Sequence, residues 1–220
     1  MKPKEYMVAI TQQLAERILS LTYAELPEKA IHWAKIGLLD TLGVTVAGAI
    51  EPCTSKALAV QGIADAAGPS VIIGQGRRTS ILDAAFINGI AAHAIDYDDV
   101  NNQIGGHPSV PLVPALFAIG DSAPISGESA IAAYIAGFET ETQVGLGVNH
   151  FHYAKGWHPT ATIGIFGTVA VGARLLALSV EQTAQAMAIA VSLASGVKAN
   201  FGTMTKPLHI GQSVRNGVMA

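Results

Sequence analysis

Apolar residues recur every three or four positions along most of the chain, which is the spacing of one helix face. Two sets near the N-terminus keep this spacing: Met7, Ile10, Leu14 and Ile18, then Ile31, Ala34, Leu38 and Leu42. The second set follows Pro27, a residue suited to a first helical turn. Both sets are expected to pack inward on one side of a helix.

Further segments with the same spacing predict more helices. They cover residues 55–67, 81–92, 111–120, 128–147, 159–178, 180–196 and 210–220. Ser80 or Thr79 is expected to cap the helix that ends at Ala92, and Ser179 with Gln182 forms a capping-box pattern. The only strand-like run is residues 71–73. The pattern therefore predicts an all-α array of eight or nine helices in a single domain, residues 1–220, with many Ala and Gly that allow close helix packing.

Composition sharpens this picture. Half of the 220 residues are apolar, only 13% are charged, and the mean hydropathy is +0.39. Such a chain has a large core and little charge for its surface, so we expect a protein partner, by default a second copy. The net charge of −3 and the lack of a basic stripe exclude nucleic acid as a partner. Cys53 is the only cysteine, which excludes an intrachain disulfide and fits a cytoplasmic protein.

The most apolar segment and the two ends of the chain indicate whether the protein crosses a membrane and whether it continues beyond these residues. The longest uncharged apolar run, residues 161–173, is shorter than the roughly 20 residues that a spanning helix needs, so no membrane partner is expected. Polar and charged residues near the N-terminus predict an amphipathic helix and no signal peptide. The last residues, SVRNGVMA, resemble the middle of a helix. We therefore expect the N-terminal part of a longer, two-domain protein.

One stretch concentrates acids and histidines. HAIDYDDVNNQIGGHPS places Asp96, Asp98 and Asp99 within four positions, between His93 and His107. A solvated acidic turn, a divalent metal site and proton-transfer chemistry each remain possible from these residues alone. Hard ligands for a cation are present, but the Gly and Glu positions of a calcium loop are missing. Like charges in one pocket would raise the pKa of at least one Asp toward a useful range.

A second pattern repeats along the chain. His107-Pro108 and His158-Pro159 each precede a predicted helix, and Lys206-Pro207-Leu208-His209 stands before a third. Helix N-termini carry unpaired N–H groups and a partial positive charge, so three of them around one cleft would bind carboxylates or phosphates. The same dipole favours a neutral imidazole near pH 7, which can exchange protons.

These motifs together resemble a known family. The run from Asn88 to Asp99, the GGHPS and GWHPT corners, and KPLHIGQSVRNGVMA occur in the order found in the MmgE/PrpD family. That family includes 2-methylcitrate dehydratase, cis-aconitate decarboxylase and iminodisuccinate epimerase. The resemblance covers essentially the whole chain and is not specific to one member.

The resemblance implies a helical N-terminal domain, a smaller lid domain outside these residues, a homodimer, and no metal or organic cofactor. It also implies roles: Asp96, His107, His158 and Lys206 would be catalytic, while His209, with Lys206 and His158, would bind substrate. Two positions depart from the pattern. Decarboxylase-like members carry Thr where this chain has Val100, and the segment from Asp96 to His107 is one residue longer here.

The sequence thus predicts a lyase, a dehydratase or decarboxylase, that acts on a small di- or tricarboxylate such as 2-methylcitrate by proton transfer alpha to a carboxylate. Three alternatives stay open. One is an epimerase or isomerase of a small dicarboxylate. The second is a non-catalytic helical dimerisation module that keeps a vestigial anion pocket. The third is a metalloenzyme.

Overall fold

Helices dominate the structure, a computed structural model that describes residues 3–148 and 150–220, with side-chain surroundings from Ile10 onward. The helices are α1 (Pro3–Ser20), α2 (Glu28–Gly48), α3 (Pro52–Leu58), α4 (Ile81–Ala92), α5 (Ser109–Gly120), α6 (Gly127–Val148), α7 (Phe151–Ala154), α8 (Pro159–Thr162), α9 (Gly164–Leu175), α10 (Val180–Leu193) and α11 (Thr205–Met219). Strands β1 (Ser70–Ile72) and β2 (Arg77–Thr79) form one antiparallel hairpin. The predicted all-α class is confirmed.

The core lies between α4, α5, α9 and α11. Leu112, Ile210 and Val214 are fully buried in its largest apolar cluster. Glycines let the backbones approach closely. A Cβ atom on Gly211 would lie 2.5 Å from the carbonyl oxygen of Phe86, and one on Gly89 would lie 2.9 Å from Cα of Gly211. This contact between α4 and α11 brings the end of α4 beside the start of α11, where the acidic stretch and Lys206 lie.

Several helix boundaries match the sequence pattern. Ser80 caps α4, since its side chain accepts a hydrogen bond from the backbone N–H of Asp83 at 3.1 Å. Ser179 and Gln182 form the predicted capping box at the start of α10. As expected, α4 ends just before the acidic stretch, and the acids therefore sit in the connection between α4 and α5.

Other local predictions need correction. The helix predicted over 55–67 is α3, which begins at Pro52 and ends at Leu58. The segment 159–178 is broken at Ile163 into α8 and α9. The second strand, β2, was not predicted because Arg77 and Arg78 give it no apolar alternation. The described residues contain eleven α-helices, more than predicted, because of this break and the one-turn helix α7.

Two corrections concern single side chains near the ends. Ile10 was expected to pack inward, but it is 60% exposed, whereas Ile18 of the same predicted face is buried. The side chain of Met7 lies outside the described residues. Lys206, Pro207 and His209 were expected to precede the last helix, but α11 begins at Thr205, so they belong to its first turns.

No single helix in the described part of the chain is both long and apolar enough to cross a membrane. One pair, α2 with α3, passes the length and composition test only when taken together, and the two helices are bent by 75°.

Candidate active site

Asp96 lies in the short connection that follows α4, beyond the C-cap residue His93. Its φ is +53°, in the left-handed region that a residue with a Cβ atom adopts at a cost. Strained backbone of this kind concentrates at functional sites, where the surroundings hold it in place. The conformation turns the chain sharply between His93 and Asp98.

One oxygen of Asp96 faces three basic groups. Nζ of Lys206 lies 2.5 Å from Oδ1 of Asp96, Nε2 of His107 lies 3.6 Å away, and Nε2 of His93 lies 4.0 Å away. The Asp96 side chain is about half exposed, whereas that of His93 is fully buried. Residues from the α4–α5 connection and from α11 thus converge on a single carboxylate.

The side chain of Asp98 forms hydrogen bonds with two imidazoles. Its Oδ2 lies 2.8 Å from Nδ1 of His93 and 3.0 Å from Nδ1 of His107. Burial opposes the charge on Asp98, but the hydrogen bonds and positive charge of the two histidines outweigh it and lower the pKa of this carboxyl well below its usual range. Burial likewise disfavours the charged form of His107. The bond to Asp98, with the charges of Asp98 and Asp96, outweighs burial and raises the pKa of His107.

The second His-Pro corner has different neighbours. His158 is the N-cap residue of α8, and its Nδ1 lies 3.1 Å from Nδ1 of His209. Nδ2 of Asn200 lies 3.4 Å from Nε2 of His209. An amide nitrogen donates, so His209 accepts at Nε2 and donates from Nδ1 to His158. The proton of neutral His158 is then on Nε2.

Charge at this corner follows from the same neighbours. Burial disfavours a charged His158, and repulsion from the neighbouring basic groups of His93, His209 and Lys206 acts in the same direction, so its pKa lies far below the usual range. His158 is 2% exposed as a residue, and its Nε2 atom has no hydrogen-bond partner among the described residues. His158 is therefore a neutral donor.

The two corners touch each other. Thr160, one residue beyond Pro159, accepts a hydrogen bond at Oγ1 from the backbone N–H of His107 at 3.1 Å. A Cβ atom on Gly106 would lie 2.8 Å from this Oγ1 and 2.9 Å from the backbone nitrogen of Thr160. The rings complete the arrangement, because His93 stands between His107 and His158 with centroid distances of 4.9 and 5.6 Å.

A cavity of about 380 Å³ opens beside His107. It is lined by Val100, Asn102, Gly105, Gly106, His107, His150 and Tyr153. Its volume falls in the range of roughly 300–1,000 Å³ that small-molecule sites occupy.

Comparison with known proteins places this arrangement in a family. The MmgE/PrpD N-terminal domain matches residues 12–220. The chain belongs to the MmgE/PrpD family. Cis-aconitate decarboxylases are among its curated relatives: the human and mouse proteins are each 32% identical over 224 and 222 residues, and the one from Aspergillus terreus is 28% identical over 218. These alignments cover 96% of this chain but only 44–45% of the relatives, so the chain spans less than half of their length.

The structure of this MmgE/PrpD domain brings together all the residues that sequence analysis selected. Lys206 and His107 contact Asp96, while His158 and His209 contact each other. The two groups are joined through the ring of His93. Their catalytic and binding roles stay predictions.

Sequence analysis gave no role to His93, Asp98 or Asn200. His93 and Asp98 were visible in the acidic stretch, but nothing in their spacing distinguishes a buried pair from a solvated one. Asn200 lies in a one-turn 3₁₀ helix without a motif. The packing of α4 against α11 brings His93 and Asp98 to the site, and the contact of the 3₁₀ helix with α11 places Asn200 beside His209.

The third acid of the stretch serves the fold. Asp99 accepts hydrogen bonds from the backbone N–H of Ser109 at 3.0 Å and from its hydroxyl at 2.6 Å, at the first residue of α5. The hydroxyl of Tyr134 lies 2.6 Å from that of Ser109 and extends the network to α6. Burial raises the pKa of Asp99.

The possibility of a metal centre can be tested on the geometry. His93, Asp96, Asp98 and His107 each place one ligand atom within 4.8 Å of the others. However, the ammonium group of Lys206 already lies 2.5 Å from Oδ1 of Asp96, and both Nδ1 atoms already bond to Asp98. A cation would meet repulsion from Lys206 and would have to break those bonds. The residues fit an ion-paired network for proton transfer better than a metal centre.

Proposed function

We propose that this chain is the helical, catalytic part of a lyase that transfers a proton at the carbon alpha to a carboxylate of a small di- or tricarboxylate. One observation carries the proposal: a single oxygen of Asp96 lies within 4.0 Å of an ammonium group and of two imidazole Nε2 atoms. Such an arrangement supplies both a binding charge for an anion and groups that exchange protons.

Binding would use the donors around the cluster. Lys206 offers a full positive charge whose side chain is only 14% exposed. His158 offers a neutral N–H at Nε2, and His209 fixes the orientation of that ring. A substrate carboxylate that takes over the ammonium group from Asp96 would also supply the partner that the buried Nε2 of His158 lacks among the described residues. This gives two of the contacts that a polycarboxylate requires.

Proton transfer would use His107. Its Nδ1 bonds to Asp98, so its Nε2 is the atom that takes or delivers a proton, with Asp96 beside it. Charge that develops on the substrate carboxylate would be stabilised by Lys206, and this electrostatic contribution is usually the largest in such sites. Loss of a β-hydroxyl then gives dehydration, loss of CO₂ gives decarboxylation, and protonation on the other face gives epimerisation.

Among these outcomes we propose decarboxylation or dehydration, because the relatives in hand are named cis-aconitate decarboxylases. Cis-aconitate is therefore the first substrate to test and 2-methylcitrate the second. An epimerase of a small dicarboxylate is the runner-up, since Val100, on the cavity wall beside His107, stands where decarboxylase-like members carry Thr.

The proposal extends to the localisation and assembly of the enzyme. We propose a cytoplasmic, homodimeric enzyme in which this domain is followed by a lid. The exposed apolar side chains of α2 would suit a second copy; they include Trp33, Leu39 and Val46, which are 59, 73 and 52% exposed. Ile95, Tyr97 and Val100 are exposed on the connection that carries Asp96, where a lid would cover them.

The test uses the full-length protein. Cis-aconitate, 2-methylcitrate, citrate and aminated succinates are incubated with it in deuterated water and followed by NMR. We expect product formation or deuterium incorporation with at least one of them, and a loss of about 10²-fold or more in His107→Ala. His32→Ala is the control, because His32 is an exposed histidine stacked edge-on against Trp33 on α2.

Binding without product or deuterium incorporation would contradict the proposal and favour a non-catalytic module with an anion pocket. Activity that His107→Ala leaves intact would also contradict it. Inhibition by chelators, reversed by a divalent cation, would instead support a metalloenzyme.

A further inference from the structure

Asp98 is the most enclosed carboxylate of the cluster. Its side chain has no exposed surface, although it lies two residues from the half-exposed Asp96. Its Oδ2 is shared by the Nδ1 atoms of His93 and His107 at 2.8 and 3.0 Å, and its Oδ1 has no hydrogen-bond partner among the described residues. Among the described residues its side-chain hydrogen bonds go to these two imidazoles, so any part that Asp98 has in the reaction acts through the two rings.

The bonds determine where the protons of those rings lie. A carboxylate only accepts hydrogen bonds, so each Nδ1 atom that bonds to it must carry a proton. His107 gives an independent indication, because its Nδ1 also lies 3.3 Å from the backbone carbonyl oxygen of Asp98, which is another acceptor. In the neutral form of either ring, Nε2 is then the atom without a proton.

The two Nε2 atoms face the same point. They lie 3.6 and 4.0 Å from Oδ1 of Asp96, and the rings meet edge to face with centroids 4.9 Å apart. The Nε2 atom of His93 is buried and has no hydrogen-bond partner among the described residues. A buried, unpartnered acceptor costs stability, and the few that native structures keep often have a catalytic role. Here the acceptor lies beside the carboxylate at the centre of the site.

We propose that Asp98 is a positioning residue, which holds the protons of His93 and His107 on Nδ1 and thereby directs both Nε2 atoms toward Asp96 as the proton-exchanging atoms of the site. This inference rests on the proposed function for its catalytic consequence, but not for its tautomers. Nothing in the acidic pattern of the sequence separates Asp98 from Asp96, since only burial and the shared oxygen do so.

The experiment compares Asp98→Asn with the wild type in the full-length protein. With ¹⁵N-labelled histidine, long-range ¹H–¹⁵N spectra report which nitrogen of each ring carries the proton, and His93→Gln and His107→Gln assign the signals. Above the midpoint of His107 we expect the proton on Nδ1 in both rings of the wild type. In Asp98→Asn the amide leaves fewer groups unpaired with its nitrogen toward the rings and its oxygen at the place of Oδ1, which has no hydrogen-bond partner among the described residues. The amide nitrogen donates, so a ring that bonds to it accepts at Nδ1 and carries its proton on Nε2. We therefore expect at least one ring to move its proton to Nε2.

Activity gives the second readout, measured on whichever polycarboxylate the wild type turns over. We expect kcat to fall about 10²–10⁴-fold in Asp98→Asn, with KM changed by less than about 3-fold, because a wrong tautomer removes proton transfer and leaves the binding groups in place. The acid limb of the pH profile should move to lower pH. His107 then keeps the raising charges of Asp96 and Asp99 but loses that of Asp98, and its neighbours His93 and His158 stay in place.

Asp99→Asn is the matched control, since it removes a neighbouring, largely buried carboxylate that bonds to Ser109 and touches neither ring. It should leave both tautomers and kcat as in the wild type, and it should move the pH profile less than Asp98→Asn does, because Asp99 acts on His107 through its charge without a hydrogen bond to the ring. Wild-type spectra with the proton of His107 on Nε2 would overturn the proposal even if Asp98→Asn does not fold. Turnover that Asp98→Asn leaves unchanged would overturn it too. The expected tautomers in a protein that turns over no polycarboxylate would support the positioning and overturn only the proposed function.

Discussion

The two His-Pro corners share a sequence motif, but the hydrogen-bond partners and the pKa shifts of their histidines differ. His107 and His158 both precede a proline and a helix, and both are largely buried. His107 bonds through Nδ1 to Asp98, which raises its pKa against the effect of burial. His158 bonds through Nδ1 to another imidazole and lies among basic groups, so burial and repulsion from those groups together lower its pKa.

The tautomers differ in the same way. Nε2 of His107 bears the lone pair in the neutral ring, because Nδ1 donates to a carboxylate. Nε2 of His158 bears the proton, because Nδ1 accepts from His209. The corner motif therefore sets where an imidazole stands, and the neighbours set whether it takes a proton or donates a hydrogen bond. One motif can supply the base and the binding group of a single site.

The largest expected effect is a difference in kinetics between variants of the two histidines. His107→Gln should lower kcat by about 10²–10⁴-fold with little change in KM, because it removes the proton-exchanging group. His158→Gln should mainly raise KM, since it replaces a neutral donor for a substrate carboxylate. Steady-state kinetics of the full-length variants measure both. Equal losses of kcat in the two variants would contradict the difference between the corners.

A backbone clash tests the contact between the corners. In Gly106→Ala the new Cβ atom would lie 2.9 Å from the backbone nitrogen of Thr160, so the two corners must move apart. We expect a loss of up to about 3 kcal/mol in the free energy of unfolding, together with lower kcat.

Urea unfolding and kinetics measure both quantities for Gly106→Ala. Gly43→Ala is the control, because a Cβ atom there meets nothing within 4 Å inside α2. Alanine should stabilise that helix slightly. A Gly106→Ala variant as stable and active as Gly43→Ala would show that the corners do not need this close approach.

The two histidines are expected to affect the pH dependence of the unfolding free energy in opposite directions. The pKa of His158 is lower in the folded than in the unfolded state, so the unfolded state binds the extra proton below about pH 6.5 and stability falls with acid. His158→Gln should remove about 2 kcal/mol of the stability lost between about pH 7.5 and pH 5. Because the folded pKa of His107 is raised, that ring stabilises the fold in acid, and His107→Gln should make the loss steeper. Urea unfolding at the two pH values tests both, and slopes that change in the same direction would refute the assignment.

Much of the fold follows from local pattern. The starts of α4 and α10 are encoded by Ser80 and Ser179, which satisfy backbone donors within three residues. The break at Ile163 could not be predicted, because the apolar spacing continues across it and the break depends on His158 and Pro159 starting their own turn. Pattern therefore finds helices and misses interruptions that tertiary contacts impose.

The sequence predicted which residues form the candidate site, but it did not predict their hydrogen-bond partners. Asp96, His107, His158 and Lys206 stand at corners that sequence motifs mark, and the packing of α4 on α11 brings them together. Whether an acid bonds to an imidazole, to a helix start or to a lysine depends on contacts that span up to 110 residues. Asp98 and Asp99, which are adjacent in sequence, take opposite roles for this reason.

The smallest expected effect concerns the hydrogen bond from the backbone N–H of His107 to Thr160, which joins the two corners. Thr160→Val keeps the shape of the side chain and removes the hydroxyl that accepts from the backbone N–H of His107. Leaving that N–H unpaired should cost about 1 kcal/mol of unfolding free energy. It should also lower kcat a few-fold, because the His107 ring loses part of its anchoring. Thr45→Val is the control: its buried hydroxyl donates to the carbonyl of Thr41 within α2, so its loss should cost stability without lowering kcat. If both variants lose stability and neither loses kcat, the bond serves the fold alone, and the close approach at Gly106 is what couples the two corners.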